Sequence, residues 1–186
     1  MNRITMLIVL LFIMGTNPSF GQQQSKISLS IVPMFDIPIT PDDNLFQPSG
    51  GLVLNKTWSF PKAPVLFRGL NMSYHIGRLE HNDFPDLGTI SISSLEGIAG
   101  IKGTIGSKVD LSLTGGGGWY YAFENDEFSS HASNWVLSGG PGIGFHLKSG
   151  RTISFRAEYR YYNRLYRILG FGLGIEIAPR FGGNQE

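Results

Sequence analysis

The chain has no cysteine among its 186 residues. An exported protein without disulfides needs another source of cohesion. Charge is also scarce: Asp, Glu, Lys and Arg make up 16% of the chain, against about 25% in ordinary soluble domains. Neither sign prevails, with 15 basic and 14 acidic residues. Nucleic acid is thereby excluded as a partner, because binding it requires a basic excess. Beyond the N-terminus no apolar run approaches the ~20 residues of a spanning helix, and no stretch shows a helical period. The four histidines (His75, His81, His131 and His146) have no metal-ligand spacing, and no cofactor motif is present. Gly115 to Gly118 lacks the Gly-Lys-Ser/Thr ending of a phosphate loop, and no helix follows it. The Asn-x-Ser/Thr triplets at Asn55 and Asn71 fall inside strands and read as chance.

Glycine is abundant, at 25 residues. The first segment is distinct. Arg3 precedes a short apolar core over 6–14, and Ser19-Phe20-Gly21 suits cleavage after Gly21. These are the marks of a secretory signal peptide. The expected organisation is a signal peptide over 1–21, one β domain over 22–181 and a tail over 182–186. No cysteine near the cut allows a lipid-modified N-terminus.

The mature chain alternates. Apolar residues recur every second position over eight segments: 26–37, 51–60, 65–78, 89–101, 109–123, 133–147, 152–162 and 166–177. A period of two marks β-strands with unlike faces. In 109–123 one face carries Val109, Leu111, Leu113, Trp119, Tyr121 and Phe123; the other carries Asp110, Ser112, Thr114, Gly116, Gly118, Tyr120 and Ala122. In 89–101 the apolar positions switch parity between Ile92 and Leu95, which suggests a bulge. Lys56 interrupts the apolar face of 51–60 and suggests another; Arg68 is near enough to a strand start to snorkel. Connections alternate in length. Those at 61–64, 103–108 and 148–151 are short, whereas the first, third and fifth are long. The predicted fold is all-β: an eight-stranded antiparallel up-and-down transmembrane β-barrel, with short turns and both chain ends on the periplasmic side.

A water-soluble barrel would give the same period. The small face decides between them, because outward positions of a soluble barrel should be long and polar. Here they are mostly Gly, Ser, Asn and Thr, suited to the interior of a narrow barrel. The mid-strand charges Asp110, Arg156, Glu158, Arg160 and Glu176 share that face and are expected to form an ion-pair network in the lumen. Trp119, Tyr121, Phe123, Trp135, Tyr159, Tyr161 and Tyr166 sit at strand ends beside the long loops, where an aromatic girdle belongs. Trp58, Phe60 and Phe67 would lie near the opposite rim.

In these features the chain resembles the small eight-stranded outer-membrane barrels of Gram-negative bacteria, the OmpA/OmpX type, over roughly 27–181. The resemblance implies outer-membrane localisation in the cell envelope, a porin-like fold without a wide pore, and a monomer. It implies contact with outer-membrane lipid and lipopolysaccharide, and insertion by the barrel assembly machinery. Members often end in an aromatic residue used for assembly; here Phe181 is followed by five more residues, so the signal would be internal, over 177–181.

One catalytic constellation is present. His131-Ala132-Ser133-Asn134 resembles the His-x-Ser-Asn motif of outer-membrane lipid A deacylases, in which the His activates the Ser and the Asn helps hold the oxyanion. Glu124 or Glu127 would orient His131. The motif lies at strand six, farther from the C-terminus than in that family. The acidic residues Asp42, Asp43, Glu124, Asp126 and Glu127 are read as solvated loop charges, with divalent-cation binding at a lipopolysaccharide surface as the alternative. The expected function is a non-enzymatic outer-membrane barrel with a structural, adhesive or surface-interaction role through its external loops. The alternatives are the lipid A esterase using His131 and Ser133, and a soluble, lipocalin-like periplasmic binding barrel.

Overall fold

The computed structural model describes residues 27–39, 47–60, 62–78, 88–124 and 131–177. Within them the chain forms eight strands: β1 (Ile27–Pro38), β2 (Ser49–Phe60), β3 (Ala63–Arg78), β4 (Thr89–Ile105), β5 (Val109–Glu124), β6 (His131–His146), β7 (Arg151–Tyr162) and β8 (Arg167–Ile177). Each pairs antiparallel with its sequence neighbour, and β8 pairs with β1, so the sheet closes into a barrel. No helix occurs among the described residues. The proposed signal peptide over 1–21, the tail over 182–186, and the loop residues Asp42, Asp43, His81, Asp126, Glu127 and Phe181 lie outside the described part.

The stagger follows from the pairing. Ile27 pairs with Trp58, then in turn come Arg68, Ala99, Gly115, Gly139, Tyr159 and Leu169, and Leu169 pairs with Ile37. One circuit therefore returns to β1 ten residues along. With ~3.3 Å per residue and ~4.8 Å between strands, eight strands then tilt by about 40° around a backbone cylinder of roughly 8 Å radius. Such a cylinder leaves an interior that side chains can fill. Glycine is required where the walls come closest. A Cβ on Gly118 would run into the Leu95 carbonyl oxygen, and one on Gly172 into the side chains of Met34 and Val32.

The two faces of the wall are inverted relative to a soluble protein. Leu29, Ile31 and Phe35 of β1, Leu70 and Ile76 of β3, Leu111 and Leu113 of β5, and Phe171, Leu173 and Ile175 of β8 all point outward and are exposed. Asp36, Asn55, Asn71, His75, Glu96, Glu158 and Arg160 point inward and are buried. A monomer in water exposes contiguous apolar patches of only a few hundred Å², whereas here the apolar surface runs right round the barrel. Apolar outside and polar inside suits a lipid solvent and excludes the soluble-barrel alternative on physical grounds.

Three connections at one end are short: β3 begins at Ala63 soon after β2 ends at Phe60, and tight turns follow at 106–108 with Gly106 at φ 62° and at 147–150 with Gly150 at φ 79°. The chain enters at Ile27 and leaves at Ile177 at this same end. We call it the turn end and the other the loop end.

Two expected irregularities are corrected. β4 pairs without a register shift on both sides, so no bulge lies between Ile92 and Leu95. Ile90 and Ile92 simply face inward, where they join an apolar cluster, and the parity change marks a change in what fills the lumen. Lys56 also sits in unbroken register; the shift in this hairpin is at Ser59 and Phe60. The Lys56 ammonium lies 5.5 Å from the Trp58 ring centre, and Arg68 similarly 5.4 Å from that of Phe60. Cations held over outward-facing rings are tolerable near a membrane interface.

Candidate functional site

The interior is built in layers. At the loop end, Ile90, Ile92, Tyr120, Ala122, Val136, Tyr162, Tyr166 and Ile168 form a buried cluster. Tyr166 stacks on Tyr162 with ring centres 5.6 Å apart, and Tyr120 meets Tyr162 edge-on at 5.3 Å. The Tyr120 hydroxyl donates to the Asn163 carbonyl in the β7–β8 turn, tying that turn down over the lumen. Burial pushes the hydroxyl of Tyr166, in the same turn, well above its ordinary pKa. Tyr166 is thus a correction. It was expected in the outer girdle, but it shares the parity of Ile168 and Gly170 and is only 5% exposed.

Beneath this layer lies a dense polar cluster centred on Arg160, whose side chain is 1% exposed. Its Nε donates to Glu158 Oε1 at 2.7 Å. Its Nη1 donates to Ser73 Oγ at 2.6 Å and lies 3.4 Å from Glu96 Oε1. A relay of hydroxyls reinforces the second contact. Ser94 donates to Glu96 at 2.7 Å, so the Ser73 hydroxyl, 2.7 Å from Ser94, gives its hydrogen to Ser94 and its oxygen to Arg160. Glu96 also accepts from Asn71 at 3.3 Å and from Ser138. His75 joins Arg160, 3.1 Å from its Nε2, to Asp36, which contacts its Nδ1. Every ion here is paired or hydrogen-bonded, which burial at this depth requires.

Towards the turn end the interior opens into a cavity of about 600 Å³. Its charges form a second cluster. Lys102 Nζ lies 3.0 Å from Asp110 Oδ2 and 3.3 Å from Glu176 Oε1. His146 Nε2 lies 3.0 Å from Asp110 Oδ2, and Thr104 donates to Asp110 Oδ1 at 2.7 Å. Ser28 donates to Glu176 at 2.6 Å. Between the two clusters a pocket of about 10 Å³ touches Asn71, Ser138 and Arg156, room for one water.

All five residues expected in the lumen network face inward, but the structure divides them. Arg156, Glu158 and Arg160 meet in the upper cluster; Asp110 and Glu176 meet below, through Lys102. Sequence reasoning missed Asp36, Glu96 and Lys102 as members and treated His75 and His146 as isolated. Inward parity was the available signal for Asp36 and His75. Lys102 falls just beyond the strand expected over 89–101, whereas β4 continues to Ile105.

Trp119, Tyr121, Trp135, Tyr159 and Tyr161 face outward near the loop end, with Phe123 on the same face of β5. Trp135 and Tyr161 have ring centres 5.3 Å apart, and Arg167 lies 5.3 Å from the Tyr161 ring. These aromatics lie on β5, β6 and β7. Phe67 lies near the turn end, and it points inward and lines the cavity.

Of the His-x-Ser-Asn constellation, the structure describes the side chains of Ser133 and Asn134. Ser133 and Asn134 are adjacent on β6, so they face opposite sides of the wall. The Asn134 side-chain oxygen accepts from the Trp135 backbone N–H at 2.9 Å. An oxyanion donor would have to stand on the Ser133 side. The side chains of His131 and Glu124 lie outside the described part. Among the described residues no group of three or more His, Asp or Glu is arranged to hold a metal ion.

No protein-family model matches the chain, and no curated protein matches it either. Solved structures do. The crystal structure of Neisserial surface protein A (NspA) superposes with a TM-score of 0.61 at 9% identity, covering 83% of this chain and 97% of that one. Ail, the attachment invasion locus protein of Yersinia pestis, superposes in its complex with the heparin analogue sucrose octasulfate with a TM-score of 0.51, at 19% identity over 82% of this chain and 97% of that one. A second Ail crystal structure gives 0.50 at 17% identity, over 84% of this chain and all of that one. The chain has the fold of the small eight-stranded outer-membrane barrels. As an outer-membrane-type barrel it presents its apolar wall to lipid, its filled loop end to one side and its open turn end to the other.

Proposed function

We propose that this protein is an integral barrel of a bacterial outer membrane, without enzymatic activity, whose role is structural, adhesive or otherwise one of surface interaction through the long connections around 40–46, 79–87 and 125–130. The observation that carries this reading is the inversion of the wall: outward leucine, isoleucine and aromatic residues around an interior of paired charges. The filled loop end argues against a diffusion pore, and the separation of Ser133 from Asn134 argues against an acyl hydrolase. Outward Trp119, Trp135, Tyr159 and Tyr161 would sit at the outer interface among lipopolysaccharide, with the turn end in the periplasm. The chain would be exported behind residues 1–21 and inserted by the barrel assembly machinery.

Fractionation tests the location. The protein should appear in detergent-extracted outer membrane and migrate differently on gels before and after heating. Recovery from the soluble periplasm would overturn the reading. Replacing 79–87 or 125–130 by short turns tests the role. The barrel should still insert, while surface attachment by the cells falls; unchanged attachment with every long connection shortened would remove the adhesive reading.

A further inference from the structure

The cavity at the turn end is blind. It opens between the tight turns and the chain ends, and it stops beneath a layer in which Glu96, Asp36, His75 and Arg160 are 0–1% exposed. Its volume of about 600 Å³ falls within the ~300–1,000 Å³ of small-molecule sites. Its walls are unlike. Phe67 and Ile98 from β3 and β4, with Val32, supply an apolar side. The opposite side carries Ser112, Thr152, Ser154 and the charged groups.

Among those charges Arg156, at the inner end, differs from the rest. Lys102 is held between two carboxylates at 3.0 and 3.3 Å. Arg156 has looser company. Its Nη1 donates to Asn55 Oδ1 at 3.3 Å and lies 3.5 Å from Glu158 Oε2. Glu158 is held more closely by Arg160, at 2.7 Å through its other oxygen. Both Arg156 contacts run from a single nitrogen of a guanidinium with five N–H donors, and its side chain is 21% exposed where it lines the cavity. A cation with donors to offer, set at the closed end of a half-apolar cavity, is suited to an oxyanion.

We propose that this cavity is a binding site for a small organic oxyanion, a carboxylate or phosphate monoester on a short apolar body. Arg156 anchors the anionic head beside Asn55, and the body lies against Phe67 and Ile98. At the mouth Lys102 offsets one of the two carboxylate charges of Asp110 and Glu176, so the attraction for an anion comes from Arg156 at the inner end. In the outer-membrane orientation the ligand enters from the periplasm, but the site itself exists whichever way the barrel is inserted.

Chemical-shift titration of the folded, full mature chain in detergent micelles tests this independently of membrane location. The probes are butanoate, butyl phosphate, inorganic phosphate and 1-butanol. Butanoate or butyl phosphate should produce saturable shifts at Asn55, Ser112 and the Arg156 side chain in the range of roughly 1–10 mM. The two tell carboxylate from phosphate as the preferred head. Arg156→Gln should weaken that binding about tenfold or more, and Phe67→Ala should weaken it while leaving the head-group shifts in place. If Arg156→Gln does not fold, as judged by heat-dependent gel mobility, Arg156→Lys serves instead, with reduced affinity expected. Equal shifts from 1-butanol, saturation by inorganic phosphate alone at the same affinity, unchanged binding in the Arg156 variants, or no saturable shift from any probe would each overturn the proposal.

Discussion

Arg160 Nη1 lies 3.1 Å from His75 Nε2. A guanidinium only donates, so His75 Nε2 must accept, and the ring proton is on Nδ1, directed at Asp36. The buried histidine is therefore neutral and in a defined tautomer, fixed by two groups from two other strands. Imidazole nitrogen NMR of the folded barrel should show a protonated Nδ1 and an unprotonated Nε2. An Nε2–H tautomer, or a doubly protonated ring near neutral pH, would contradict the hydrogen-bond pattern around Arg160.

Arg160 is the cation on which Glu158 and Glu96 both depend. Arg160→Met would leave those carboxylates buried without it. Breaking one side of a buried ion network costs about 3–5 kcal/mol. Urea unfolding in micelles or bilayers should show a loss of that size, whereas removing the more exposed Lys102, 33% exposed at its side chain, should cost less.

On the outer wall, depth sets the penalty. Leu111 faces outward within β5 and Ile105 faces outward beside the turn at 106–108. An arginine on the lipid face costs about 2–4 kcal/mol near the midplane and about 0–1 near an interface. Leu111→Arg should therefore destabilise the barrel more than Ile105→Arg when both are unfolded from the same bilayer. Equal costs would mean that the outer face does not meet hydrocarbon.

Neighbouring glycines on β5 should respond in opposite ways. A Cβ at Gly115 meets nothing within 4 Å, whereas one at Gly118 strikes the Leu95 carbonyl. Gly115→Ala should fold normally, and Gly118→Val should fail to fold or lose about 1–3 kcal/mol through overpacking. Heat-dependent gel mobility separates the two outcomes.

The absence of native cysteine makes the lumen easy to map. Ser112→Cys, in the cavity, should react with a small water-soluble thiol reagent; Ile92→Cys, in the buried layer at the loop end, should not. Planar-bilayer recordings of the unmodified barrel should show no sustained open channel. A steady conductance, or rapid labelling at position 92, would mean that the loop end is not closed.

These tests bear on features of different legibility. The strands and their faces could be read from alternation alone, because a tilted wall between lipid and a packed lumen forces period two everywhere. The parity of Asp110, Arg156, Glu158, Arg160 and Glu176 was legible for the same reason. What parity does not carry is height or identity of neighbour. Lys102 reaches both Asp110 and Glu176 only because the stagger brings β4, β5 and β8 to one level of the interior. Ile90, Ile92 and Tyr166 were misassigned because the lumen was taken to be polar throughout. Its loop end is filled with apolar and aromatic groups, so an inward residue there looks like an outward one.

The polar cluster also bears on how the barrel comes to exist. Asp36 is supplied by β1, His75 and Ser73 by β3, Glu96 by β4, Ser138 by β6, and Glu158 and Arg160 by β7. No hairpin or half-sheet contains a complete set. An open, partly assembled sheet would hold several charges without partners, in surroundings where each is costly. Sealing the seam between β1 and β8 satisfies them together. The interior network thus acts as a latch that makes barrel closure all-or-none and disfavours every intermediate with an unzipped edge.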